Sequence, residues 1–266
     1  MYNINDKILK KIVDNTIEFL EDNTKMFCEL EKKDKEVNDF NFDIKILISM
    51  IKEFKKRKLN DKGLKRILVS HCGNPYITAL LCFESLINNA EIIIAIDDIC
   101  YALNYGFVKN FNDILKNQNI EYKIELKNNL SSEEVDKEKF DKIVCLGNFN
   151  TYSSYEKCKS TPQFVPFMGI KIYYDSEDYR DLVYDLVNFA ELNFYEIEII
   201  NYEEDFEDAI FIMNNSEDDY CSTILSKDKK KKERFKKEIN SEIICVNENP
   251  FKKIKLEIPE KVFCNF

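Results

Sequence analysis

The stretch RILVSHCGNPYITALLCFESLINNAEIIIAIDD, from Arg66 to Asp98, decides the fold of this 266-residue chain. Its opening β-rich run ends at His71-Cys72-Gly73, and Asn74-Pro75 then begins a helix whose apolar residues follow helical spacing. The run from Glu91 to Ile96 is typical of a second buried strand. Two apolar strands joined by one helix form a parallel βαβ crossover, so this stretch predicts a doubly wound α/β sheet.

The remainder of the chain alternates between helix and strand patterns in the same way. Helices are predicted over residues 5–30, 43–58, 99–117, 176–193, 206–214 and 229–240, and strands over 121–126, 141–147, 170–174, 195–201, 221–225 and 242–246. Asn5 is a predicted helix N-cap, Ser131 with Glu134 forms a capping-box pattern, and residues 161–169, with two prolines, are predicted to be irregular. The alternation predicts helices over 1–64, a Rossmann-like lobe over 65–193 and a reduced second α/β lobe over 194–266.

Composition narrows the classes of function. The formal charge of −10 argues against general nucleic-acid binding, which relies on a basic surface, and the basic run 227–237 is predicted to be a solvated helix face. No apolar run approaches the roughly 20 residues of a membrane span. The N-terminus lacks the apolar core of a signal peptide, so the predicted location is cytoplasmic, without membrane association.

The cysteine pattern argues against a zinc site. Nine cysteines occur without a CxxC pair, and His71 is the only histidine. Most of these cysteines lie in apolar runs and are predicted to be small buried side chains in a reducing compartment.

Two residues near the first strand end are candidates for chemistry. Cys72 lies at the carboxyl end of a strand and before a helix N-terminus, where the helix dipole would lower a thiol pKa. Adjacent residues of an extended chain point to opposite faces, so His71 reaches Cys72 only if the turn bends sharply. Asn74, which precedes a proline at the first helical position, is predicted to cap the helix.

Several motifs, in a shared order, resemble those of the aldehyde dehydrogenase superfamily. The segment from Gly73-Asn74-Pro75 to Asp98 is similar to the family's Asn-x-Pro turn, helix and strand, although one residue is missing between Asn and Pro. FDKIVCLGN, residues 140–148, resembles "vdkisFTGS", and residues 206–250 resemble the family's closing pattern. A weaker similarity joins MGIKIYYDSED, residues 168–178, to "GGK-p-iV-dDAD".

The resemblance implies specific roles. Asn74 matches the family's oxyanion-stabilising asparagine, and Gly147 and Asn148 match the turn that approaches the NAD(P) cofactor. From the residues alone, a tight turn after the strand explains Gly147 better than a cofactor contact does, because glycine tolerates such conformations. In the family, the ends of the chains take part in the pairing of subunits. The resemblance therefore also implies a homo- or hetero-oligomer.

The departures from the family pattern concern catalysis. Pro166 stands where the family has its general-base glutamate, residues 189–193 contain no cysteine at the nucleophile position, and Ala95 replaces a cofactor-contacting lysine, with Asp97 and Asp98 adjacent. We therefore hypothesise a degenerate member without dehydrogenase activity that acts by ligand or subunit binding. The alternatives are an active oxidoreductase or thiol enzyme that uses Cys72 or a partner chain's residues, and a small-molecule binding module without chemistry.

The C-terminal segment 245–266 is predicted to mediate self-association. Residues 254–258 alternate Ile254, Leu256 and Ile258 with two charged residues, a pattern typical of an edge strand with one apolar face. Such a face needs cover, either from a second subunit or from the chain's own sheet.

Overall fold

The computed structural model describes residues 4–35, 42–60, 65–71, 73–96, 100–121, 124–128, 130–146, 152–165, 169–191, 196–215, 220–251 and 262–263. The described residues up to 165, together with 262–263, form one compact unit, and those from 169 to 251 form another. Each unit contains one parallel sheet covered by helices, which confirms the predicted α/β class.

The first unit contains a five-stranded parallel sheet with the order β3-β2-β1-β4-β5. Its strands are β1 (Lys65–His71), β2 (Ala90–Ile96), β3 (Glu125–Asn128), β4 (Lys142–Leu146) and β5 (Gln163–Val165). Its helices are α1 (Asp6–Asp22), α2 (Thr24–Lys35), α3 (Ile44–Glu53), α4 (Pro75–Ile87), α5 (Tyr101–Asn117) and α6 (Ser132–Val135). A 3-10 turn, Phe54–Lys56, continues α3.

Helix α4 is the centre of this unit, because all of its residues are buried. It packs against β2 and α5, while α3 covers it from outside and α1 and α2 contact α5. Gly106 permits the close approach of α2 to α5, since a Cβ at this position would lie 2.5 Å from Leu30 Cδ1. The N-terminal helices therefore add a layer over the helices that cover the sheet.

The long helix predicted over 5–30 is two helices. Asn5 caps α1 as predicted, but the Asn23 side chain bonds the Phe19 carbonyl at 2.8 Å. The Thr24 hydroxyl bonds the Leu20 carbonyl at 3.2 Å. Polar side chains that bond the preceding turn compete with helix continuation, which accounts for the break between α1 and α2.

Two further differences concern the sheet. The strand predicted over 121–126 begins only at Glu125, because the Asn112 side chain bonds both the N–H and the carbonyl of Ile124, each at 2.9 Å. Residues 161–169, predicted to be irregular, contain the edge strand β5, which pairs with β4.

The capping box of Ser131 and Glu134 is present at α6 as predicted.

The second unit contains a four-stranded parallel sheet with the order β7-β6-β8-β9. Its strands are β6 (Gly169–Tyr174), β7 (Glu196–Ile200), β8 (Cys221–Leu225) and β9 (Ile243–Val246), and its helices are α7 (Arg180–Glu191), α8 (Phe206–Asn215) and α9 (Lys229–Glu238). A buried cluster that includes Tyr173, Ile224, Met213 and Phe235 joins one sheet face to α8 and α9. The buried ammonium of Lys171 donates to the Met213 carbonyl at 3.1 Å, near the last turn of α8.

The predicted domain boundary at residue 193 differs from the observed division. Strand β6 pairs with β7 and β8, and not with β4 or β5, so it and the following helix α7 belong to the second unit. The described part of residues 1–64, predicted to be helices that pack on the sheet, belongs to the same unit as the first sheet. Helix–strand alternation alone does not show where one sheet ends, because both sheets follow the same pattern.

Candidate ligand-binding edge of the first sheet

The first sheet reverses its strand order between β1 and β4. Open α/β sheets bind ligands outside the carboxyl ends of their strands at such a switch point. His71 is the last residue of β1, and Gly73 and Asn74 lead from it into α4. This edge is therefore the place at which the predicted site residues should meet.

A buried hydrogen-bond network fills the described part of this edge. Gly73 donates its N–H to His71 Nδ1 at 3.0 Å, so the neutral imidazole carries its proton on Nε2, which lies 3.1 Å from Thr78 Oγ1. The Thr78 hydroxyl donates to Asn104 Oδ1. Asn104 Nδ2 in turn donates to the carbonyls of Gly73 at 2.6 Å and Cys100 at 2.7 Å. The network ties the turn after β1 to the first turns of α4 and α5.

The three side chains of this network, His71, Thr78 and Asn104, are at most 1% exposed. Gly73 supports it with a φ of 92°, which side-chain-bearing residues rarely adopt. Burying a polar group costs free energy unless the group is hydrogen-bonded. The polar groups of this network hydrogen-bond one another. The network therefore stabilises the strand end without a contribution from a ligand.

Burial lowers the pKa of His71 from 6.5 to about 3. The imidazole is thus neutral at pH 7 and a weak base, and both of its nitrogens face groups of this network. Cys72 itself lies outside the described residues. A histidine held in this way is poorly suited to take a proton from a neighbouring thiol.

Asn74 caps α4, as predicted. Its Oδ1 accepts the N–H of Tyr76 at 2.9 Å, and its side chain is 1% exposed. Pro75 follows at the first helical position. The correspondence of Asn74 to the family's oxyanion asparagine remains an expectation.

The N-terminus of α5 receives its cap from another helix. Cys100, the residue before α5, adopts a left-handed conformation and supplies no side-chain cap. Asp34 of α2 accepts the N–H groups of Ala102 and Leu103, both at 2.9 Å. Burial raises the pKa of Asp34, although these two bonds oppose the rise. The chain's own carboxylate therefore occupies the helix end that would attract an anion.

The other predicted site residues are only partly described. Gly147 and Asn148, like Pro166, Asp97 and Asp98, lie outside the described residues.

Ala95 is buried on β2, and the parallel pairing places Lys127 of β3 beside it. Lys127 Nζ lies 3.7 Å from Glu125 Oε2. The register thus places a lysine beside Ala95, a neighbour that sequence comparison with the family strand did not reveal.

The described cysteines behave mainly as buried apolar side chains. Cys82, Cys100, Cys145, Cys158, Cys221 and Cys245 are buried thiols, whereas Cys28 is exposed. Burial raises the pKa of the Cys145 thiol to about 12, with Cys158 adding to the rise, and burial also raises the pKa of Cys82. Such thiols are protonated at pH 7 and are weak nucleophiles.

Among the residues that the structure covers, no three His, Cys, Asp or Glu side chains are grouped to hold a metal ion. Within the same residues, no helix combines the length and apolar character needed to cross a membrane.

The second sheet has its own polar edge, which the sequence did not predict. Its strand order reverses between β6 and β8, and the residues that follow them, Asp175 and Ser226, share a hydrogen bond. The Asn247 side chain bonds both backbone groups of Ser226 at 2.9 Å, and Lys231 Nζ lies 3.8 Å from Asp175 Oδ2. These contacts hold the three strand ends together.

These parallel α/β units define an aldehyde dehydrogenase-like fold. The chain is similar to glyceraldehyde-3-phosphate dehydrogenase from Methanocaldococcus jannaschii in complex with NADP, with a TM-score of 0.65 and 11% identity over 93% of this chain and 82% of that one. It is also similar to γ-glutamyl phosphate reductase from Thermotoga maritima, with a TM-score of 0.59 and 13% identity over 94% and 84% of the two chains. A third similar structure is an NAD-dependent benzaldehyde dehydrogenase from Corynebacterium glutamicum, with a TM-score of 0.62 and 7% identity over 97% and 82%.

No protein-family model and no curated protein matches the sequence. The predicted superfamily fold is confirmed, and at these identities the likeness concerns the fold alone.

The described part of the first edge does not fit the pyrophosphate of NAD(P). Such groups bind where helix N-terminal N–H groups are available. Here Asp34 bonds the first N–H groups of α5, and Asn74 caps α4. A phosphate at α5 would have to displace a buried carboxylate of like charge.

Proposed function

We propose that this chain is an aldehyde dehydrogenase-like protein that has no dehydrogenase activity and acts by binding a ligand or another subunit. The observation that carries the proposal is the buried network in which the polar side chains of His71, Thr78 and Asn104 hydrogen-bond one another. The sequence supports the same conclusion, because Pro166 replaces the general base and residues 189–193 lack the nucleophile.

The alternative is a thiol enzyme that uses Cys72, which is placed before the N-terminus of α4. The geometry of His71 disfavours it, because that imidazole has a pKa of about 3 and its ring nitrogens face Gly73 and Thr78. An active Cys72 would need another base, and this requirement makes the two functions distinguishable by experiment.

The purified chain is expected to show no reduction of NAD or NADP with propanal or benzaldehyde above the protein-free rate. The reason is the joint loss of covalent catalysis and proton transfer. The measurement is NAD(P)H absorbance over hours at high protein concentration, with a Cys72→Ala variant as the matched control. Turnover that disappears in Cys72→Ala would establish the thiol enzyme and reject our proposal.

We further propose that subunit binding uses the C-terminal segment 245–266. Its central part, 254–258, lies outside the described residues, so support comes from the alternating pattern of Ile254, Leu256 and Ile258. Light scattering is expected to give a mass above the 31.6 kDa of one chain. Leu256→Lys should lower that mass to the monomer value, and Lys255→Glu, on the charged face, should leave it unchanged. A monomer for the intact chain would contradict this interface.

A further inference from the structure

A cleft of about 400 Å³ lies at the amino-terminal edge of the first sheet. Its lining comes from residues 135–143, which lead into β4, and from residues 159–160, which precede β5. Because β4 and β5 are parallel neighbours, both segments reach the same edge. This edge is opposite to the one that carries His71 and Asn74, so the cleft is separate from the site described above.

The apolar part of the cleft lining consists of Val135, Phe140 and Ile143. Val135 and Ile143 belong to the buried core on this face of the sheet, and the partly buried Phe140 packs against that core. The Arg66 guanidinium lies 5.1 Å from the centroid of the Phe140 ring, and Arg66 also bonds Glu138 at 2.5 Å. A ligand with an apolar group can therefore pack against a surface that is already ordered.

Two ammonium groups at the rim are available to a ligand. Lys139 and Lys159 are exposed, and within the described part of the chain neither ammonium has a hydrogen-bond or ion-pair partner. A lysine ammonium carries three donors, so both side chains keep their full capacity to bind a carboxylate.

The acidic groups of the cleft are held in place by backbone bonds. Asp136 Oδ1 accepts the N–H of Lys159 at 2.9 Å, and Asp141 Oδ2 accepts the N–H of Arg66 at 2.8 Å. Each of these bonds uses only part of the acceptor capacity of a carboxylate. The charge of Glu138 is balanced by Arg66. The cleft therefore offers two unpaired cations and two positioned anions beside the partly buried Phe140 ring.

We propose that this cleft binds a small zwitterion with an apolar side chain, of the chemical class of a free apolar amino acid. Lys139 and Lys159 would bind its carboxylate, Asp136 and Asp141 its ammonium, and Phe140 its side chain. The carboxylates would repel a ligand that carries only a negative charge, and the lysines would repel one that carries only a positive charge. A molecule with both charges therefore matches the lining. The volume lies within the range of small-molecule sites.

Calorimetric titration of the full chain with three probes that share one ring tests this proposal. The probes are L-phenylalanine, 3-phenylpropionate, which lacks the ammonium, and phenethylamine, which lacks the carboxylate. We expect L-phenylalanine to bind about tenfold more tightly than either analogue, since each analogue loses a pair of exposed charge contacts.

Variants assign the contacts. The double substitution Lys139→Gln and Lys159→Gln should weaken L-phenylalanine about tenfold and should not weaken phenethylamine, because the two ammonium groups repel that cation. Asp136→Asn keeps the acceptor for the Lys159 N–H and should weaken both ammonium-bearing probes. Lys137→Gln, an exposed lysine of the same segment outside the cleft lining, should change nothing.

Three outcomes would overturn the proposal: equal binding of the three probes, binding that the cleft variants leave unchanged, or no binding of L-phenylalanine at millimolar concentration. The aldehyde assay does not bear on it, because the cleft contains none of the residues from which the loss of activity is predicted.

Discussion

Replacing Asn104 with alanine is expected to lower the free energy of unfolding by about 3–5 kcal/mol. The side chain is fully buried and makes three hydrogen bonds, to Thr78 and to the carbonyls of Gly73 and Cys100. Its removal takes an acceptor from the buried Thr78 hydroxyl and a donor from both carbonyls. It also leaves a cavity between β1, α4 and α5, in the most buried part of the unit.

The matched control is Asn110→Ala on the same helix. Asn110 is partly buried and donates only to the Gly106 carbonyl one turn earlier. Its loss is expected to cost under about 1 kcal/mol, because the bond is local and alanine has the higher helix propensity. Urea unfolding followed by circular dichroism measures both variants. A similar, small loss for both would show that the network does not hold the strand end.

The stability of the first unit is expected to fall by about 2 kcal/mol between pH 7 and pH 5 because of His71 alone. The folded-state pKa of this imidazole is about 3, below its ordinary value of 6.5. Between these two values the unfolded chain binds a proton that the folded chain excludes. The contribution is therefore fully present above pH 6.5 and is lost progressively as the pH falls toward 3.

The sequence makes this measurement specific, because His71 is the only histidine. His71→Gln can keep an acceptor for the Gly73 N–H and a donor for Thr78, but it has no titratable group. Its stability should change about 2 kcal/mol less than that of the wild type over the same pH interval. Equal pH dependence in the two proteins would show that His71 is not excluded from protonation in the folded state.

Local sequence signals predicted the parts of this fold that depend on neighbouring residues. Asn5, Asn74 and the Ser131–Glu134 pair cap their helices as expected, because each bond joins residues two or three apart. The doubly wound sheet was predictable for a related reason, since strand and helix periodicity are local properties.

The contacts on which the proposed function rests join residues far apart in the chain. Thr78 and Asn104 are 26 residues apart, and Asp34 accepts the N–H of Ala102, 68 residues later. A single sequence contains no signal for such pairs beyond a polar residue on an apolar helix face. The position of Lys127 beside Ala95 also required the sheet register.

We propose that the chain's own side chains complete the end of strand β1 in the first sheet and that this edge does not bind a dinucleotide. Calorimetric titration of the full chain with NAD and with NADP tests it most directly. We expect no saturable binding up to about 1 mM, because Asp34 and Asn74 already bond the helix N-termini where a pyrophosphate would bind. Micromolar affinity for either dinucleotide would contradict this proposal. Loss of that affinity in Lys127→Ala would then identify the lysine as the substitute for the missing cation.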